Sequence, residues 1–138
     1  GFFYDFEVDV AAELAEENLE KGEEKSGYFF TIVEVEGETI AFSCYGKTPC
    51  TAASFDLYWI AVHQNQKGKG IGKAILQYLI DLAKKQKLHT MIAVIDYENQ
   101  SSIAFHEQFG FTTVGIIKES GYKFERWLHS VIMQLILK

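Results

Sequence analysis

Apolar and polar positions divide the chain into alternating helix-like and strand-like segments. Across residues 5–21, Val10, Leu14 and Ala15 share one face while Glu13, Glu16, Glu17 and Glu20 turn to water, which predicts an acidic amphipathic helix. Gly22 and Gly27 close that segment. Residues 29–36 and 39–45 read as two strands, and Glu36-Gly37-Glu38 between them marks a hairpin. A loop at residues 46–53 holds the chain's only proline. The dense apolar run at residues 55–62 suits a central strand.

Further on, Ile71, Ile75, Leu79 and Leu82 recur at helical spacing, with Lys84, Lys85 and Lys87 complementing the C-terminal dipole. Residues 90–95 form another buried strand. It runs parallel to the previous one if the helix between them packs on the sheet as a right-handed crossover. Residues 99–109 predict a short helix, with Asn99 or Ser101 near its N-cap and Gly110 at its end. Residues 111–118 read as a strand, 119–123 as a turn and 127–137 as a long last strand. The expectation is a single mixed α/β domain over residues 1–138.

Composition narrows the function classes. With 138 residues, 48% of them apolar, the chain can build one ordinary core and not two. A net charge of −6 disfavours nucleic acid as the main partner, since phosphate backbones are met by basic surfaces. No apolar run approaches the roughly 20 residues that span a bilayer, and the N-terminus lacks a signal-peptide pattern. Cys44 and Cys50 fit neither a metal spacing nor a disulfide framework, so the expectation is a reduced, cytoplasmic protein without a metal.

The chemistry concentrates in Lys67-Gly68-Lys69-Gly70-Ile71-Gly72-Lys73, where a strand hands over to a helix. Glycines leave backbone amides bare at a helix start, and three lysines add charge, which describes a seat for phosphate groups. A Walker A loop needs four residues between its glycine and the Gly-Lys pair, then Ser or Thr. Here three residues separate Gly68 from Gly72-Lys73, and Ala74 follows. A dinucleotide fingerprint needs Gly-x-Gly-x-x-Gly and an acid about 20 residues on. The spacing here is Gly-x-Gly-x-Gly, and Asp96 comes late.

The run Ile60-Ala61-Val62-His63 followed by residues 67–72 resembles the acetyl-CoA-binding motif of the GNAT acetyltransferase superfamily, with Lys67 in place of its usual Gln or Arg and with Gly70 and Gly72 matching. Residues 99–111 resemble the family's next helix and strand. With Gly121-Tyr122-Lys123-Phe124 and Arg126-Trp127-Leu128, the resemblance is closest to the phosphinothricin and methionine-sulfoximine acetyltransferase branch, and it covers residues 27–134. The resemblance implies a mixed central sheet with splayed parallel strands flanked by helices. The family opens with a strand and helix before the acidic helix, and the first family strand is missing from the pattern here.

The resemblance also implies roles. The pyrophosphate of CoA would lie on backbone amides of Gly68, Lys69, Gly70, Ile71, Gly72 and Lys73, with Lys67 beside them. Pantetheine would pair with the strand at Ile60, Ala61 and Val62, whose backbone would also meet the oxyanion. Asn99 would bond pantetheine, cap its helix, or do both. His106 stands where many members carry a tyrosine acid. It would protonate the leaving thiolate or hold the sulfur, unless it is a buried histidine bonded to backbone.

Asp56 is the candidate general base. It should point to the opposite face of its strand unless a bulge re-aims it, and the alternatives are a strand-end carboxylate paired with lysine or deprotonation through ordered water. The loop at 46–53 with Tyr122, Lys123 and Arg126 would select a substrate bearing an amine and a carboxylate, unless these charges belong to an ordinary surface turn. The apolar last strand (Val131, Ile132, Leu135, Ile136) would be buried at an edge in a homodimer.

Together these readings predict an acetyl-CoA-dependent N-acetyltransferase acting on a small amine by direct transfer, because no Cys-His pair supports an acyl-enzyme. The competing reading is a catalytically inactive acyl-CoA-binding or oligomeric scaffold protein of the same fold.

Overall fold

The computed structural model describes residues 27–66 and 68–138, the side chains of Trp59 and Gln64 excepted. The expected acidic helix at residues 5–21, and the expectation that the first family strand is missing, fall outside the described residues. Those residues form strands β1 (Tyr28–Val35), β2 (Glu38–Lys47) and β3 (Ser54–Val62), then a short 3-10 turn at Gln64–Gln66. Helix α1 (Ile71–Lys85), β4 (Thr90–Asp96), α2 (Gln100–Glu107), β5 (Thr112–Lys123) and β6 (Arg126–Ile136) follow. The sheet order is β1-β2-β3-β4-β6-β5. Every neighbouring pair is antiparallel except β3 and β4, which run parallel across the α1 crossover as its packing requires.

The core lies between α1 and the sheet. Ile75, Leu76, Leu79, Ile80 and Ala83 form the helix's buried stripe, and Ala41, Met91, Ala93, Ile95, Val131 and Met133 face it. The stripe is wider than the spacing of Ile71, Ile75, Leu79 and Leu82 alone, because a helix lying on a sheet buries both i+4 and i+1 neighbours. Alternation along β4 puts Met91, Ala93 and Ile95 inside and leaves Val94 exposed. Burying Met91 or Ile95 contributes roughly 1.5–3 kcal/mol.

Two tight turns shape the hairpins. Glu36 and Gly37 both have positive φ (52° and 82°) and join Val35 to Glu38, which agrees with the expected first hairpin. The expected turn at residues 119–123 is not a turn. These residues stay in β5, and the chain reverses at Phe124 and Glu125, with φ 53° and 59°. What read as a turn is a bulge: Ile117 pairs with Ser130 and Gly121 with Leu128, so Lys118, Glu119 and Ser120 stand opposite His129 alone. His129 Nδ1 accepts the backbone N–H of Glu119 at 2.9 Å and closes the bulge. The last strand is also not an edge. β6 is paired on both sides, by β4 and β5, so β1 and β5 are the edges among the described residues.

Candidate active site

The site begins with an interruption in the sheet. β3 and β4 pair only from Ser54–Leu57 to Thr90–Ala93, although β3 continues to Val62 and β4 to Asp96. Beyond Leu57 the two strands diverge. β3 remains held on its other side by β2 through Val62, and β4 by β6 through Asp96. A bulge in β3 accompanies the divergence, since Cys44 pairs with Trp59 and Tyr45 with Leu57, which leaves Tyr58 as the extra residue. The β3 backbone beyond this point therefore presents hydrogen-bonding groups toward an open space that a ligand can satisfy.

That space is a cleft of about 810 Å³ lined by Leu57, Tyr58, Ile60 and Val62 from β3, and by Ala93 to Asp96 from β4. Gln66, Gly68, Gly70, Ile71, Gly72 and Lys73 close one end. Asn99, Ser101, Ser102, Phe105 and His106 from α2, with Lys123 from β5, complete the wall. Its size falls in the range of small-molecule sites.

The glycine segment fits an anionic ligand on its own geometry. Gly70 is the N-cap of α1, in the left-handed region at φ 76°, and no side chain caps the helix start. The first helical bond is donated by Ala74 N–H to Gly70 O, so the amides of the first turn face outward. A Cβ added at Gly68 or Gly70 would meet nothing within 4 Å. Open space in front of bare amides at the positive end of a 15-residue helix is what a phosphate group requires. Lys73 lines the cleft beside it, while Lys69 Nζ donates to Gln66 Oε1 at 3.1 Å.

Asn99 caps α2: its side-chain oxygen accepts the N–H of Ser102 at 3.2 Å and the hydroxyl of Ser101 at 3.0 Å. Asn99 also lines the cleft. His106 lies one turn on, 6% exposed. Its ring meets Phe105 and Phe111 edge to face, at 5.4 and 5.2 Å between centroids. Nδ1 donates to the carbonyl of Ser102 at 2.8 Å. Burial pushes its pKa below the ordinary value of 6.5, while the bond to Ser102 pulls the other way. His106 is thus both the backbone-bonded buried histidine and a wall of the cleft.

The remaining candidates divide. Ile60, Val62, Gly68, Gly70, Ile71, Gly72, Lys73, Asn99, His106 and Lys123 meet at the cleft. Ala61 and Lys69 are neighbours that do not line it, and Lys67 lies outside the described residues. Asp56 is not brought to the cleft; its carboxylate accepts the hydroxyl of Thr48 at 2.8 Å. The loop at 46–53 adds nothing to the lining, because it leads into β3 while the cleft opens toward the strand's far end. Arg126 reaches Glu98 through both guanidinium nitrogens, at 2.9 and 2.5 Å. Tyr122 is exposed and packs edge to face on Trp127 at 5.2 Å.

Several lining residues were not anticipated as site residues, among them Tyr58, Gln66, Ser102 and Phe105. Tyr58, the extra residue of the bulge, lines the cleft while its ring packs edge to face on Tyr28 at 5.9 Å, and burial, then the Asp56 carboxylate, push its phenol upward, so it keeps its proton. No local sequence signal marks that bulge. The Cys44 thiol is fully buried, and burial pushes it up to about 11, which removes it as a nucleophile.

Residues 3–132 match the family described as "Acetyltransferase (GNAT) domain". The chain belongs to the GNAT acetyltransferase family. The L-methionine sulfoximine/L-methionine sulfone acetyltransferase of Pseudomonas paraeruginosa is 35% identical over 116 residues, which cover 82% of this chain and 67% of that protein. A GNAT-family protein from Desulfovibrio desulfuricans superposes with a TM-score of 0.91 at 28% identity, over 100% of this chain and 86% of that one. The yncA protein of Salmonella typhimurium, solved with its cofactor acetyl-CoA, superposes with a TM-score of 0.75 at 30% identity, over 98% of this chain and 75% of that one. The splayed sheet, the uncapped glycine helix and the α2 wall are thus those of a GNAT acetyltransferase, and the chain is an N-acetyltransferase by family. This favours the enzyme over the inactive scaffold. Among the described residues, no helix is long and apolar enough to cross a membrane.

Proposed function

We propose that this GNAT acetyltransferase moves the acetyl group of acetyl-CoA to the amine of a small molecule, an amino acid or an analogue, by direct attack in a ternary complex. The observation that carries this reading is the divergence of β3 from β4 into a cleft that ends on the bare start of α1. The pyrophosphate is assigned to the amides at Gly68 to Lys73, with the Lys73 side chain as counter-charge. The pantetheine amides are assigned to the open edge of β3 at Ile60 and Val62, with Ala61 between them and Asn99 opposite. A β3 backbone N–H would meet the oxyanion.

His106 is the proton-transfer candidate in the cleft. Asp56 acts at most through its neighbours Thr48 and Tyr58. For an amino-acid acceptor, Lys123 would hold the carboxylate, with Tyr122 and Arg126 on the same hairpin shaping the approach. A cytoplasmic enzyme acting as a homodimer completes the reading. Exposed Val114, Ile116 and Ile117 on edge strand β5 support the homodimer.

The test is a thiol-release assay with acetyl-CoA and a panel of free amino acids, L-methionine sulfoximine, phosphinothricin and simple amines. Acetylation confined to acceptors with an α-amine and a carboxylate supports the reading. Thiol release with none of them, under conditions where acetyl-CoA binds, would sink it.

A further inference from the structure

We infer that, among the described residues, His106 serves as both base and acid: its Nε2 takes the proton from the attacking amine and delivers the same proton to the departing thiolate. This rests on the acetyl-transfer reading and supplies the base that reading lacks.

The argument starts from the Ser102 carbonyl. A carbonyl can only accept, so the 2.8 Å contact requires the proton of neutral His106 to sit on Nδ1. Nε2 then carries a lone pair. Ser43 Oγ is the one buried side-chain polar atom without a partner among the described residues. Nε2, with no hydrogen bond of its own there, therefore keeps access to the cleft that the ring lines. Phe105 and Phe111 flank the ring edge to face and, with the Ser102 bond, restrain it.

The other titratable groups that the described residues place on the cleft wall fit the task less well. Lys73 on α1 and Lys123 on β5 are cationic and accept nothing. Tyr58 on β3 keeps its proton. Asp96 on β4 spends one oxygen on the N–H of Glu98 at 2.9 Å.

The step balances within one residue. As the nitrogen–carbon bond forms, the nitrogen becomes acidic and Nε2 takes its proton. As the carbon–sulfur bond breaks, the imidazolium returns that proton to sulfur. The amide and the free thiol leave, and His106 is again neutral. A proton acceptor must be unprotonated, so activity should rise through the histidine titration from the acid side. An acid-only histidine would give the opposite limb.

Two measurements decide it. Nitrogen-15 NMR of the ligand-free protein at pH 7.5, assigned by loss of the signal in His106→Gln, should show a neutral ring protonated on Nδ1. A ring protonated on Nε2, or a charged one, overturns the proposal without reference to activity. The pH profile of kcat/KM should show an acidic limb below 6.5. His106→Gln should remove that limb, lower kcat/KM by about 100-fold or more, and leave acetyl-CoA affinity within about 3-fold. Loss of the limb in Asp96→Asn instead would make the carboxylate the base and overturn the proposal. Wild type that acetylates no amine fails the underlying reading; wild type that works while His106→Gln keeps rate and limb fails this one alone.

Discussion

Gly70 combines a left-handed backbone with empty space where a side chain would go, two requirements that arise independently. Valine there should cost about 1–2 kcal/mol of backbone strain and place its branches in the phosphate seat. The expected result is a folded protein, a few degrees lower in Tm, with acetyl-CoA affinity down at least about tenfold by calorimetry. His106 gives a stability prediction of known sign. Its folded-state pKa lies below 6.5, so as the pH falls past 6.5 the unfolded chain takes up a proton first and stability drops. The contribution is fully present above 6.5 and is lost through the more acid folded-state value. Thermal melts from pH 7.5 to 5 should show a loss that His106→Gln reduces. At this scale the residues legible in the sequence were those marked by type, the glycines and the lone histidine of α2. Tyr58 was not, because it is the extra residue of a register shift between β2 and β3 that no residue of β3 announces.

Helix α1 joins cleft and core, since its N-terminus lines the cleft and its flank closes the core. Leu76 is fully buried at the centre of that flank. Leu76→Ala should cost about 2–5 kcal/mol, read as a lower denaturant midpoint with an unchanged slope. By contrast, Arg126 and Glu98 are about half exposed, at 54% and 50%. Arg126→Ala should therefore change stability by no more than about 1 kcal/mol. If the pair also holds the β5–β6 hairpin tip beside Lys123, it should raise the acceptor KM without touching kcat, and steady-state kinetics on that variant separates the two quantities. The strand–helix–strand unit was legible because apolar period and glycine punctuation agree along β3, α1 and β4. The β5–β6 hairpin was misread for a physical reason. Lys-Glu-Ser-Gly carries turn chemistry yet forms a bulge, whereas the true turn places Phe124 and Glu125 at positive φ without glycine or asparagine.

Taken as one molecule, the fold holds two strands together at one end and apart at the other, and the cleft lies in the gap. The parallel pairing of β3 and β4 followed from the chain's pattern, and the divided sheet from the family resemblance. The placement of β6 inside the sheet did not, because an apolar last strand reads equally well as an edge or a centre. If β5 forms the proposed homodimer, light scattering should give twice the 15.7 kDa chain mass, and Ile117→Lys should halve it. The claim on which the rest depends is that the cleft seats acetyl-CoA on the start of α1. Calorimetric titration of acetyl-CoA into the protein measures it most directly. Saturable binding near one site per chain, weakened in Gly70→Val and absent for NAD and ATP, is the predicted result. No saturable binding to a folded wild-type chain would contradict it.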